Sequence, residues 1–333
     1  MSSGTIKGEG DIIATYLAPL ARKHEGALGL ADDCAVLSPR PGTDLVLTTD
    51  AIAAGVHFLP DDAPEDIAWK ALAVNVSDLA AKGATPLVYQ MALSFPELPS
   101  RETMERLSAG LQEAQDALGI VLSGGDTDRR PGPLTITIVA IGELPSGTLV
   151  KRSGARPGDR LFVSGTLGDS AFGLKLRRGD AETAKWNLTD EEKAHLVGRY
   201  LRPRPRLDMR PCLTRWATAA MDLSDGLAKD LGRMASLCGA GAEVEIARLP
   251  LSPAAGKVIA SDGEAIEGVL AGGDDYEILF TVAPKDVAAV NAWTRESGIA
   301  VTEIGAMTEG STVTLRDANG KRFPLLLTGW DHF

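Results

Sequence analysis

The residues of this 333-residue chain best suited to chemistry are aspartates that sit beside apolar runs. They occur as Asp32-Asp33, Thr48-Thr49-Asp50, Ser77-Asp78, Gly125-Asp126, Asp222 and Ser224-Asp225. Taken singly, each is more readily a helix cap or turn former, because a short carboxylate accepts backbone N–H bonds. Taken together, strand-end carboxylates would converge on one edge of a sheet, where their repulsion is tolerable only with cations among them. Oxygen donors of this kind suit magnesium, which takes a few carboxylates and fills its other positions with water and phosphate oxygens. Gly124-Gly125 ahead of Asp126 lets backbone approach a phosphate, as could Gly165 and Gly168 around Thr166; plain turns explain both equally well. Lys151-Arg152 is a candidate phosphate clamp and, just as readily, a solvated basic pair.

Composition limits what such a site could serve. Apolar residues make up 44% and charged residues 24%, the profile of a folded globular chain. The length exceeds what one core usually supports, so two domains are expected, at 1–147 and 148–333. A net charge of -11 disfavours nucleic acid or an anionic membrane as main partner, and metal ions would have to supply positive charge for an anionic ligand. Cys34, Cys212 and Cys238 are far apart with no C-x-x-C pair, which points to neither a disulfide framework nor a zinc site, and to a reducing compartment. With no signal-like pattern in Met1 to Asp11 and no apolar run of spanning length, a cytoplasmic protein is expected.

The elements that must carry these residues follow from periodicity. Asp11 to Lys23 is amphipathic at helical spacing, and Cys34–Leu37 with Leu45–Thr48 read as neighbouring strands across a Pro- and Gly-containing connection. Pro64 to Lys82 is helical, which sets Asn75 and Asp78 on one face. Leu87–Phe95 reads as a strand and Arg101–Leu118 as a helix stopped by Gly119. Ile120–Ser123 and Leu134–Ile141 read as strands split by a loop at 124–128, and Glu143 to Asp159 as the domain boundary. Beyond it come a strand at Arg160–Val163, a helix at Asp169–Arg178, and a charged helix with a Thr189/Glu192 capping box. Arg202-Pro-Arg-Pro-Arg206 interrupts regular structure. Then follow a strand ending at Leu223, a helix over Gly226–Cys238, a strand at Tyr276–Val282, a helix over Lys285–Ser297, and a closing hairpin of Val313–Leu315 with Phe323–Leu326. The alternation indicates an α/β or α+β layer structure. Leu122-Ser-Gly-Gly-Asp126 recurs as Leu270-Ala-Gly-Gly-Asp274, and Asn75-Val-Ser-Asp78 resembles Asp222-Leu-Ser-Asp225, so an internal duplication is a reading to test.

The common nucleotide and zinc signatures, G-x-x-x-x-G-K-[ST], G-x-G-x-x-G and H-E-x-x-H, are missing from the sequence. In their place stand Gly29-Leu-Ala-Asp-Asp-Cys-Ala-Val-Leu37, Thr48-Thr-Asp50 leading to Gly55-Val-His-Phe58, and Lys70-Ala-Leu-Ala-Val-Asn-Val-Ser-Asp-Leu-Ala-Ala-Lys-Gly-Ala84. Gly124-Gly-Asp-Thr127, Arg152-Ser-Gly-Ala-Arg-Pro-Gly-Asp159, Asp222-Leu-Ser-Asp-Gly-Leu227, Gly272-Gly-Asp-Asp-Tyr-Glu277 and the terminal Trp-Asp-His-Phe follow in order. In this series the chain resembles the thiamine-monophosphate kinases from end to end. It departs from their commonest pattern at Lys82, where Met is frequent, at Asp128, where a second Thr often stands, and at Asp274, where Glu is also common.

The resemblance implies a two-domain aminoimidazole ribonucleotide synthetase-like fold, with an amino-terminal sheet domain that dimerises, a carboxy-terminal α/β domain, and ATP in the cleft between them. It implies that Asp33, Thr48, Thr49, Asp50, Asp78, Asp126, Asp222 and Asp225 bind several magnesium ions, and that Gly125, Asp126, Arg152 and Ser224 contact ATP. His57, Asp274 and Trp330 fall where the family holds thiamine monophosphate. A ring such as Trp330 can stack on flat cationic thiamine rings, and a carboxylate such as Asp274 can pair with their charge. A core-plugging Trp330 and a structural His57 are the plainer alternatives. The implied reaction is ATP plus thiamine monophosphate giving ADP plus thiamine diphosphate, the last step in making that cofactor. Its nucleophile is already anionic near neutral pH, so no general base is required. The alternatives are another ATP-using enzyme of the superfamily, such as a selenophosphate synthetase or hydrogenase maturation factor, and a binder of nucleotide or thiamine phosphate without turnover.

Overall fold

The structure, a computed structural model, describes residues 6–324 and Gly329. It divides into two compact units, one formed by the chain up to Leu79 with Ala84–Gly147, the other by Ala80–Gly83 with the chain from Thr148 onward.

In the first unit the chain enters through a helical run of changing pitch: α1 (Glu9–Ile12), a π-helical turn at Ile13–Leu17 and a 3-10 turn at Ala18–Ala21. Pro19, which cannot donate a helical bond, falls in the tightened last segment. Ile12, Tyr16, Leu17 and Leu20 are buried, as the amphipathic spacing requires. The sheet has four strands in the order β1-β4-β2-β3, made of β1 (Thr43–Ala53), β2 (Thr85–Phe95), β3 (Val121–Arg129) and β4 (Thr135–Pro145). β4 is antiparallel to β1 and β2, while β3 is parallel to β2. Helix α2 (Pro64–Ala81) opens with Pro64 and two acidic residues, Glu65 and Asp66, which suit a helix start. Helix α3 (Arg101–Leu118) is capped by Ser100, whose side chain accepts the Thr103 amide at 3.0 Å, and ends on Gly119 at φ 67°.

Two expectations fail in this unit. Cys34–Leu37 is not a strand: Val36 is 55% exposed and its amide donates to the Gly26 carbonyl at 2.8 Å, while β1 pairs with β4 instead. Pro39 and Pro41 in the connection remove two ladder donors, which works against a tight hairpin there. Residues 124–128 are not a loop but the middle of β3, beside Gln90–Ser94 of β2. A Cβ on Gly125 would lie 1.9 Å from the Met91 carbonyl oxygen, so the glycine marks two strands in close approach rather than a turn.

The second unit contains, in order, β5 (Arg160–Ser164), α4 (Asp169–Arg178), α5 (Asp190–Leu201), α6 (Arg210–Trp216), β6 (Ala217–Asp222), α7 (Leu227–Cys238), β7 (Gly241–Glu245), α8 (Pro253–Ser261), α9 (Ile266–Ala271), β8 (Ile278–Val282), α10 (Val287–Ser297), β9 (Val301–Thr308) and β10 (Val313–Arg316). The Thr189/Glu192 capping box is present at the start of α5. Six strands run in the order β10-β7-β9-β5-β8-β6, all antiparallel neighbours except the parallel pair β10 and β7. Both faces of this sheet are covered. Leu161 and Val163 of β5, Ala219 and Met221 of β6 and Leu279 of β8 enter one core, while Phe162, Ala220, Ile278, Phe280 and Val282 enter the other. That two-sided burial explains why these strands read as continuous apolar runs.

Strands β7 and β9 went unrecognised in the sequence, their apolar residues being interrupted by Gly, Ala and Glu. Val313–Leu315 is a strand, but it lies parallel to β7; its return is a single bridge, Arg316 to Arg322, with Phe323 N–H donating to Leu315 at 2.8 Å. Leu325 and Leu326 of the expected hairpin lie outside the described residues. The repeated letters also part company: Asp78 is inside α2 whereas Asp225 is in a loop after β6, and Asp126 is inside β3 whereas Asp274 follows α9. Similar strings fold differently here, so they do not support duplication.

Candidate active site

Asp33, Thr48, Thr49, Asp50, Asp78, Gly125 and Asp126 all belong to the first unit, yet none of them ends a strand. Thr48, Thr49 and Asp50 sit mid-strand in β1, Asp78 lies within α2, Asp126 within β3, and Asp33 in the irregular segment before β1. The Thr48 hydroxyl donates to Asp78 Oδ2 at 2.5 Å, and the Asp50 amide donates to Asn75 Oδ1 at 2.9 Å. The three-residue spacing of Asn75 and Asp78 thus brings both to the same stretch of β1. Register sets Asp126 beside Ala92, then Thr137 and Ala51, on the sheet face that Thr49 shares and opposite Thr48 and Asp50. On that face Asp126, Asp32 and Asp33 line a cavity of about 410 Å³ together with Gln90 and Thr137, and Ile13, Leu17 and Leu30 supply apolar wall. Its size and mixed lining suit a small-molecule ligand. Asp33 donates its amide to Asp32 Oδ1 at 2.8 Å, and Thr127 donates its amide to Asp126 Oδ1 at 3.0 Å. His57 is turned back on its own loop, its Nδ1 accepting the Ala53 amide at 3.1 Å.

In the second unit the chemistry-bearing residues are at a strand end, Asp222, and on loops. Asp222 ends β6 and is 4% exposed; Leu223–Gly226 leads into α7. The loop is held from below by Asp230, whose Oδ2 accepts the amides of Ser224 at 3.1 Å and Asp225 at 3.0 Å. Burial pushes the Asp230 carboxyl up to about 6 against those hydrogen bonds. Asp225 itself faces Arg233 at 2.6 Å and Lys229 at 3.5 Å. Arg152 is exposed, and its carbonyl accepts the Cys238 thiol at 3.7 Å. Asp274 donates its amide to the Ser224 carbonyl at 2.9 Å, which ties it to the same loop. Trp330 lies outside the described residues, although Gly329 just before it packs on Asp225 and Lys229.

A ready-made metal site is not assembled: among the described residues no three His, Cys, Asp or Glu side chains come together to hold one. The expected convergence on one sheet edge is corrected by the fold, which spreads the carboxylates of the first unit over both sheet faces and a helix. In the second unit Asp225 is neutralised by Arg233 and Lys229. The donors themselves are carboxylates and threonine hydroxyls, the hard oxygen set that fits magnesium and not zinc or copper.

Sequence reading missed the buried polar layer behind these loops. Glu277, fully buried, accepts from Arg199 at 2.8 Å, from Arg206 Nε at 2.6 Å and from Ser164 at 2.7 Å. Asp275 Oδ1 accepts the Gly168 amide at 2.9 Å while its Oδ2 has no hydrogen-bond partner among the described residues, and burial raises this carboxyl well above its usual value. Asp169, also buried, accepts from Thr166 at 2.7 Å and Ser252 at 2.5 Å and lies 3.2 Å from His195 Nε2. One signal was available: Arg206 belongs to the Arg-Pro-Arg-Pro-Arg run that read only as a break.

Residues 31–144 match the AIR synthase related protein, N-terminal domain, and residues 156–318 match its C-terminal domain. The chain is 41% identical to the thiamine-monophosphate kinase of Caulobacter vibrioides, over 97% of this chain and 90% of that protein. A crystal structure of thiamine-monophosphate kinase from Stenotrophomonas maltophilia superposes with a TM-score of 0.79 at 38% identity, over 88% of this chain and 90% of that one. AaThiL complexed with AMPPCP and TMP superposes with a TM-score of 0.75 at 35% identity, over 91% of each chain.

Proposed function

This chain belongs to the thiamine-monophosphate kinase family of AIR synthase related proteins, and we propose that it phosphorylates thiamine monophosphate with ATP by direct in-line transfer dependent on magnesium. The observation that carries this reading is the likeness, over 91% of each chain, to a protein solved with the nucleotide analogue AMPPCP and with TMP. A terminal phosphate oxygen of the substrate attacks the γ-phosphorus of ATP; the new P–O bond forms as the bond to the bridging oxygen of ADP breaks. The attacking oxygen is already anionic near neutral pH, so no side chain has to remove a proton. His57 is in keeping with this, since its Nδ1 is occupied by a backbone amide.

Asp33, Thr48, Thr49, Asp50, Asp78 and Asp126 of the first unit are assigned to hold magnesium, and Asp222 and Asp225 of the second are assigned the same duty. Magnesium, when bound, would offset the charge of phosphates that otherwise repel one another. Thr48 and Asp78 are already 2.5 Å apart, which orients both oxygens before any ligand arrives. Gly125, Asp126, Arg152 and Ser224 are assigned to ATP. Asp33 and Asp126 share the cavity over the open sheet face, whose volume of about 410 Å³ supports nucleotide binding there. His57, Asp274 and Trp330 are assigned to thiamine monophosphate.

A homodimer is proposed because β1 is an edge strand with exposed apolar residues on and near it, Leu47 at 61% and Val56 at 46%. Among the described residues no helix is long and apolar enough to cross a membrane, and the three cysteines are free thiols, which supports a cytoplasmic setting. The test is ADP release: it should require thiamine monophosphate as well as magnesium, and ADP formed at the same rate without the acceptor would overturn the reading.

A further inference from the structure

We propose that Tyr276 is a positioning residue for the acceptor substrate, its hydroxyl aiming the Asp274 carboxylate at the flat cationic rings. This rests on the proposed function, in which Asp274 makes that contact. The Tyr276 hydroxyl donates to Asp274 Oδ1 at 3.2 Å. Both residues hold left-handed backbone, Asp274 at φ 66° and Tyr276 at φ 50°, a conformation that side-chain-bearing residues keep only when their surroundings impose it.

The surroundings do impose it. On one side the segment is stitched to the Asp222–Asp225 loop: Asp274 donates its amide to Ser224 at 2.9 Å and Tyr276 donates its amide to Leu223 at 2.8 Å. The approach is so close that a Cβ on Gly273 would lie 2.3 Å from the Ser224 carbonyl oxygen. On the other side the alternate residues are anchored inward, Asp275 on the Gly168 amide and Glu277 on Arg199 and Arg206. A strained segment pinned from both sides presents Asp274 and Tyr276 as a fixed pair. Because aspartate is one methylene shorter than glutamate, its reach depends on where the backbone sets it and on how the hydroxyl turns the carboxylate.

The experiment uses the full-length enzyme with Tyr276→Phe, which keeps the buried ring and removes only the hydroxyl. The KM for thiamine monophosphate should rise about 5–15-fold, with kcat and the KM for ATP within about twofold of wild type. In an Asp274→Ala background the same substitution should add nothing, since the hydroxyl then has no carboxylate to aim. An unchanged KM for thiamine monophosphate overturns the proposal. So does an equal rise in the KM for ATP, or the same fold-change in the Asp274→Ala background. Wild-type enzyme that fails to phosphorylate thiamine monophosphate sinks the functional reading as well, whereas wild-type turnover with an indifferent Tyr276→Phe sinks this inference alone.

Discussion

In the first unit the assigned aspartates ride mostly on regular elements: Asp50 inside β1, Asp78 inside α2 and Asp126 inside β3, each held by the backbone ladder of its own element. In the second unit Asp225 and Asp274 ride on loops, and a further set of buried carboxyl groups, Asp230, Asp275 and Glu277, holds those loops in place. A strand or helix orients a side chain through its own ladder. A loop has no ladder, so its geometry must come from side chains placed behind it. The same residue type therefore carries different liabilities in the two units: loss of function without loss of fold in one, loss of fold along with function in the other.

That contrast is tested hardest at Glu277. Glu277→Ala leaves Arg199 and Arg206 without their buried partner and should cost about 3–5 kcal/mol of stability, read by urea unfolding. A loss under about 1 kcal/mol would mean that the loops do not depend on the buried layer. In the first unit the expectation reverses. Asp78→Asn keeps an acceptor for the Thr48 hydroxyl and should unfold like wild type while kcat falls about 100-fold or more at ordinary magnesium. Near-normal turnover at low magnesium would remove Asp78 from the metal set.

The smallest effect is a pH dependence. Asp275 faces Asp169, Glu277 and Arg199, and its carboxyl is raised well above the usual value, chiefly by burial. The native state therefore keeps this proton after the unfolded chain has lost it, so the residue's contribution to stability falls as pH rises from the ordinary carboxyl range toward the raised value, and levels off above it. Asp275→Asn cannot titrate and retains an oxygen for the Gly168 amide. Its melting temperature, followed from about pH 4 to pH 8, should fall less with rising pH than that of wild type. Parallel curves would show that Asp275 is ionised in the folded protein.

Much of the fold was legible because local chemistry and global structure agree. Pro64, Ser100, Gly119 and the Thr189/Glu192 box start and stop helices where they should, and Asn75 with Asp78 meets β1 as helical spacing demands. The failures have a common cause. Cys34–Leu37 has the apolar content of a strand but no partner strand among the described residues, and Gly124-Gly-Asp-Thr-Asp128 has the composition of a turn but lies against β2. Strand identity depends on what lies alongside, which a single segment does not encode.

By itself the sequence determined the family, the order of the motifs and the inventory of oxygen donors, because these depend only on which residues occur and in what succession. The tertiary structure alone decided how the aspartates are distributed: across two sheet faces and a helix in the first unit, and on braced loops in the second. It also disclosed Asp275, Glu277 and Arg199 as a buried layer behind the second unit's loops, with the half-buried Arg206 pairing to it, since a charge separated from its partner by some 70 residues is recognisable only once folding has brought the two together.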